Sequence, residues 1–195
     1  MNSACAVHAS KAFNSAAKVG GWASLCDPTL SFHYPEFDPL VEIWRQAAAK
    51  GRLPMRREID LKKLKHVLRA MALYERVVNG TIRYRVRLMG TAFAEAMGDL
   101  SGRFIDEAVA PEQVARWKAA LDVAFAAGRP VRFVGQLISR DYLVAEYFEA
   151  PLLSDDGMPN LVLAAGHFMP RRWAEVAQEE ERRASCNSID SMERF

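Results

Sequence analysis

The chain has 195 residues, of which 50% are hydrophobic and 26% charged, with a formal net charge of +2. That is the make-up of an ordinary globular domain with appendages, long enough to bury a sizeable core. It excludes a membrane helix, since no apolar run approaches the roughly 20 residues one requires, and the small net charge singles out no class of partner.

The first residues, M-N-S-A-C-A-V-H-A-S-K, show no basic stretch followed by a sustained apolar run, which argues against a secretory signal. Cys5, Cys26 and Cys186 are odd in number and sit near the two ends. Free thiols in a reducing cytoplasm suit that pattern better than a disulfide framework. Residues 1–33 are rich in Ala, Ser and Gly, are broken by Gly20-Gly21, and read as a flexible N-terminal tail. From Pro39 the pattern becomes helical. Leu40, Val41, Ile43, Trp44 and Ala47 recur at helical spacing, predicting an amphipathic helix over 38–50 with Asp38 as N-cap and Gly51 as its stop. Its apolar stripe is wide enough to cover a sheet face or pack on a second copy. Leu40, Ile43, Trp44 and Ala47 are therefore the residues expected at a homodimer interface. Pro54 prevents that helix from continuing, and Asp60 can cap a second one over 61–68. Between Arg45 and Arg69 nine Lys and Arg stand against Glu58 and Asp60. No aromatics interleave with them, so the run reads as a solvated face and not as a nucleic-acid surface.

The strongest local signal is two apolar runs, 70–78 and 81–89, meeting at Asn79-Gly80. That dipeptide predicts a β-hairpin closed by a type I′ turn. Along the second strand Ile82, Tyr84, Val86 and Leu88 fall on one face, and Arg83, Arg85 and Arg87 on the other. Gly90 breaks the strand, and Thr91 can cap a short helix to Met97. Pro111 opens a long helix, 112–127, closed by Gly128 and Pro130. Three further strands follow over 131–139, 142–153 and 160–169, joined by connections short enough to require antiparallel pairing. After Pro170, residues 171–195 read as an exposed helix and a polar tail. The sequence has no βαβ repeats, so a doubly wound parallel sheet is disfavoured. The expected class is α+β: five antiparallel strands, helices on one face, N-terminal helical segments and a C-terminal helix, with the domain spanning 34–170.

Three motifs in this order carry a resemblance: Leu53-Pro54-Met55-Arg56-Arg57-Glu58-Ile59-Asp60, Tyr84-Arg85-Val86-Arg87-Leu88-Met89-Gly90-Thr91 and Asp99-Leu100-Ser101-Gly102-Arg103. Over about residues 35–170 the chain resembles a single-domain, PAS-like family of bacterial proteins. It departs from that family's pattern by placing Val86-Arg87 inside the second motif and Leu61 where a proline is usual. The resemblance implies a five-stranded sheet in spatial order 2-1-5-4-3. It also implies a signalling module that senses a small molecule in a cavity, binds a protein partner or dimerises. Fold alone does not choose among these.

The residues expected around such a cavity are Tyr84, Val86 and Leu88 of the second strand, Phe93 and Met97 of the short helix, Trp117 and Leu121 of the long helix, and Phe133 and Tyr147 of later strands. The same side chains serve either as ligand contacts or as a filled core. Neither a covalent flavin nor a histidine-ligated heme is expected. Residues 27–185 contain no cysteine and the long helix no histidine, whereas an unidentified small organic ligand fits. His167 has no companion at metal spacing and reads as structural. Arg85 is placed to pair with Asp60 or Asp106 and tie the N-terminal segment to the sheet. No nucleophile, P-loop or H-E-x-x-H pattern is present, so the chain is read as a non-enzyme: a stand-alone sensor or adaptor, with a plain ligand-binding protein second and an enzyme last.

Overall fold

The computed structural model describes residues 3–49, 51–137, 140 and 142–171. A six-stranded antiparallel sheet runs in the order β1-β4-β5-β6-β2-β3. Its strands are β1 (Ser24–Asp27), β2 (Met71–Asn79), β3 (Thr81–Met89), β4 (Val131–Gln136), β5 (Leu143–Leu152) and β6 (Leu161–Pro170). The five expected strands stand in the expected order. The sixth, β1, comes from the segment read as a tail and pairs with β4 from Ser24 against Gly135 to Asp27 against Arg132.

Strand periodicity divides the core in two. Alternate residues of β2 and β6 point to opposite sides. Ala72, Tyr74, Val162 and Ala164 join one apolar cluster, and Met71, Leu73, Leu161 and Leu163 the other. Helices α1 (Ser3–Val19) and α5 (Pro111–Ala127), with the shorter α3 (Thr91–Met97) and α4 (Ile105–Ala108), cover the first side. Helix α2 (Asp38–Ala48) and short 3-10 turns cover the second.

Residues 3–27 are thus not a loose tail. Ala6, Ala9, Phe13 and Ala17 are buried, and Phe13 meets Phe133 edge-on with ring centroids 5.0 Å apart. The small alanines permit close packing of α1 along α5, and that burial outweighs the weak periodicity of the segment.

Helix α2 likewise packs on its own chain. Leu40 and Trp44 are only 2% and 3% exposed, and the Trp44 indole donates to the Pro151 carbonyl at 3.0 Å. Ile43 and Ala47 pack against the same cluster. The stripe expected at a dimer interface therefore covers the sheet. Asp38 is the first helical residue and Phe37 takes the N-cap place. The helix expected over 61–68 is replaced by two 3-10 turns, Leu61–Leu64 and Leu68–Ala70, the first capped by Asp60 accepting from Lys62 N–H at 3.1 Å. Three cations of the basic stretch stand beside acids: Arg52 by Glu58, Arg56 by Asp155 and Arg69 by Glu95.

The hairpin forms, but only Gly80 takes a positive φ, 71°, so its turn is not type I′. Its second strand also departs from simple alternation. Leu73 pairs with Leu88 while Tyr74 pairs with Val86, leaving Arg87 as an extra, bulged residue. The bulge turns Leu88 to the side opposite Tyr84 and Val86, where it is 43% exposed; Ile82, near the turn, is also exposed. Gly90 ends the strand because the chain closes on itself there. A Cβ on it would lie 2.4 Å from the Arg69 carbonyl oxygen and 2.5 Å from that of Leu68. Gly90→Ala is expected to cost about 1–3 kcal/mol or more, as backbone cannot yield the way a flexible side chain does. A urea midpoint unchanged from wild type would refute the close approach.

The C-terminal helix expected beyond Arg171 and Cys186 lie outside the described residues.

Candidate functional site

Between α5 and the sheet lies a cavity of about 80 Å³. A single water needs roughly 10–15 Å³ by the same measure, so the space admits a small molecule. Five expected residues line it: Phe93, Met97, Trp117, Phe133 and Tyr147. Tyr84, Val86 and Leu121 are buried in the same apolar cluster but do not reach the cavity wall. Leu88 is on the other side of the sheet for the reason given above. The remaining wall includes Phe13 and Ser24 from the N-terminal segment, Tyr74 from β2, Gln113, Arg116 and Ala120 from α5, Gln136 at the end of β4, Leu137 after it, and Glu149 from β5.

Two of these side chains are unusual. Glu149 is 5% exposed and its Oε2 has no hydrogen-bond partner; Tyr74 is 1% exposed and its hydroxyl has none either. Burial raises the Glu149 carboxyl from 4.5 to about 8 and pushes the Tyr74 phenol well above its ordinary value. An unsatisfied buried polar atom costs about 1–3 kcal/mol, and here two belong to residues that line one cavity. Across from them Arg116 is half-buried, and desolvation lowers its pKa. Among the described residues no acid forms an ion pair with it. The Tyr147 hydroxyl approaches the Met97 sulfur at 4.0 Å.

The sequence signal that could have disclosed Glu149 is the run from Leu143 to Leu152, apolar on both faces yet containing Glu146 and Glu149. A carboxylate in a strand buried on both sides needs a partner or a role. Glu146, on the opposite face, has its partner. Arg132 Nε donates to it at 2.5 Å, and the His33 and Tyr34 backbone N–H groups donate at 3.0 and 2.9 Å.

The expected tie through Arg85 is made differently. Arg85 pairs with Glu75, directly opposite it on β2, at 2.5 Å. Asp106 pairs instead with Arg83 at 2.7 Å, and Asp60 serves as a cap. Cross-strand neighbours are simply nearer than the loop acids. His167 stacks on Tyr34 with ring centroids 3.8 Å apart.

One premise about thiols also changes. Strand β1 carries Cys26 into the core, where its thiol donates to Ser10 Oγ at 3.2 Å and burial pushes its pKa up to about 12. It does not line the cavity. Neither a cysteine nor a histidine is among the residues that line the cavity. Among the described residues no cluster of metal-ligating side chains occurs, and no helix is long and apolar enough to cross a membrane.

The PAS domain family model matches residues 34–165, and the chain belongs to that family. No curated protein matches it. Among solved structures it is similar to the light state of the blue-light photoreceptor Aureochrome1 LOV, at 12% identity and a TM-score of 0.37, over 63% of this chain and 98% of that one. It is also similar to an RNA-binding Light-Oxygen-Voltage receptor, at 15% identity and a TM-score of 0.43, over 87% of this chain and 45% of that one. A third is a sensory box histidine kinase/response regulator from Burkholderia thailandensis, at 18% identity and a TM-score of 0.36, over 68% and 99%. The match begins at residue 34 and ends at 165, so α1 and β1, which supply Phe13 and Ser24 to the cavity, lie outside the matched residues.

Proposed function

We propose that this chain is a sensor module that binds a small organic molecule in the cavity between α5 and the sheet and passes the signal on through its outer surfaces. The observation that carries the reading is the pair of unpartnered buried polar atoms, Glu149 Oε2 and Tyr74 Oη, on one cavity wall. The activity is binding and not catalysis. The odd cysteine count supports a reducing, cytoplasmic setting.

The test is a thermal-shift screen of metabolites against wild type, Ala120→Phe and Leu88→Trp. A ligand at a hundred times its dissociation constant stabilises the fold by about 2.7 kcal/mol. Ala120 lines the cavity and Leu88 does not. Ala120→Phe is therefore expected to abolish the shift and Leu88→Trp to leave it intact. If no compound stabilises wild type, the reading gives way to an adaptor that binds a protein.

A further inference from the structure

The cavity has two chemically different ends. On its floor Gly135 pairs with Ala145, Phe133 with Tyr147 and Val131 with Glu149. Ala145, Tyr147 and Glu149 share one face of β5. The level of Gly135 and that of Glu149 are four residues apart, about 13 Å along the strand.

At the first end, Gly135 presents no side chain. The position its Cβ would take is 2.6 Å from Arg116 Nη2 and 2.8 Å from Ser24 Oγ. A guanidinium and a hydroxyl thus converge where β1 meets β4. The guanidinium is half-buried and among the described residues has no carboxylate to neutralise it. At the second end sit the unpartnered Glu149 and Tyr74 oxygens. Arg116 and Glu149 line one cavity yet form no ion pair. Between them the walls are ring faces and edges: Phe13, Phe93, Trp117, Phe133 and Tyr147.

We propose that the cavity takes a flat aromatic carboxylate with a hydroxyl or similar polar group at its far end, its carboxylate on Arg116 and Ser24 and its polar group on Glu149 and Tyr74. This rests on the reading of the cavity as a binding site and adds the class of molecule bound. Arginine binds a carboxylate through two parallel N–H donors, and rings stack or pack edge-on against aromatic walls. The length agrees. A ring with para substituents spans roughly 6 Å, and a hydrogen bond of about 2.8 Å at each end brings the total to about 12 Å. A longer aliphatic acid would leave the aromatic walls poorly used and would overfill the space.

The experiment is calorimetric titration of the full-length chain with 4-hydroxybenzoate, benzoate, 4-hydroxybenzyl alcohol and indole, on wild type, Arg116→Gln and Tyr74→Phe. Wild type is expected to bind 4-hydroxybenzoate best, with loss of the carboxylate or of the hydroxyl each weakening binding about tenfold. In Arg116→Gln the difference between 4-hydroxybenzoate and the alcohol collapses. In Tyr74→Phe the difference between 4-hydroxybenzoate and benzoate shrinks while the carboxylate preference remains. Should Arg116→Gln fail to fold, Ser24→Ala and Arg116→Lys carry the same comparison. Binding of indole with no preference for carboxylates, or an Arg116 variant that keeps the preference, overturns the ligand class and leaves the binding site standing. Failure of every probe, indole included, overturns both.

Discussion

Arg132→Met is expected to destabilise the protein by about 3–5 kcal/mol, because it leaves Glu146 buried and without its cation. Arg132 and Glu146 are 7% and 1% exposed. Arg132 also donates to Asp27 Oδ2 at 3.1 Å, and Glu146 accepts the backbone N–H groups of His33 and Tyr34. One guanidinium therefore joins β1, β4, β5 and the chain leading into α2. The apolar pair Arg132→Met with Glu146→Leu removes both charges together and is expected to recover much of the loss, the usual behaviour of a buried ion pair replaced as a unit. Urea denaturation of wild type, the single variant and the double variant measures this. A single variant within 1 kcal/mol of wild type would mean the contact is as weak as a surface pair.

Glu149→Gln should change how stability depends on pH. The native carboxyl binds its proton up to about 8, whereas the unfolded one releases it near 4.5. The native state thus holds more protons between those values, so wild-type stability falls as pH rises through this window and the loss is complete above it. At about 1.4 kcal/mol per pH unit the full effect approaches about 5 kcal/mol. The other ionisable groups of the cavity wall are Tyr74, Tyr147 and Arg116. The two phenols stay neutral throughout this range, their pKa values raised by burial, and Arg116 forms no ion pair that would pull the carboxyl down. Glutamine cannot ionise. The variant should match wild type near pH 5 and exceed it by several kcal/mol at pH 9. Denaturation curves that stay parallel from pH 5 to pH 9 would show Glu149 to be ionised in the native state. In the proposed complex the same neutral carboxyl is the group that donates a hydrogen bond to the ligand's polar end.

Local chemistry made much of the fold legible. Pro111 and Gly128 bound α5 at the expected ends, Gly128 taking the left-handed φ of 62° that a helix stop favours. Asn79-Gly80 placed the hairpin, and alternation put Tyr84 and Val86 inside. Five aromatic or Met residues of the cavity could be read from the faces of predicted elements, because a face is a property of a few consecutive residues. What depends on distant partners could not be read that way. Arg87 bulges out of a strand whose own pattern is continuous, since register is settled by the strand opposite. The Ala-rich α1 becomes a buried element only because α5 offers a surface for it, and β1 becomes a strand only because β4 has a free edge. The stripe of Leu40 and Trp44 announced that it would be covered; tertiary structure decided that the sheet of the same chain covers it. Glu146 and Glu149 look alike in the sequence, three residues apart on one strand. Packing alone set one against Arg132 and left the other facing the cavity, because burial and partnership belong to the assembled fold and not to the residue.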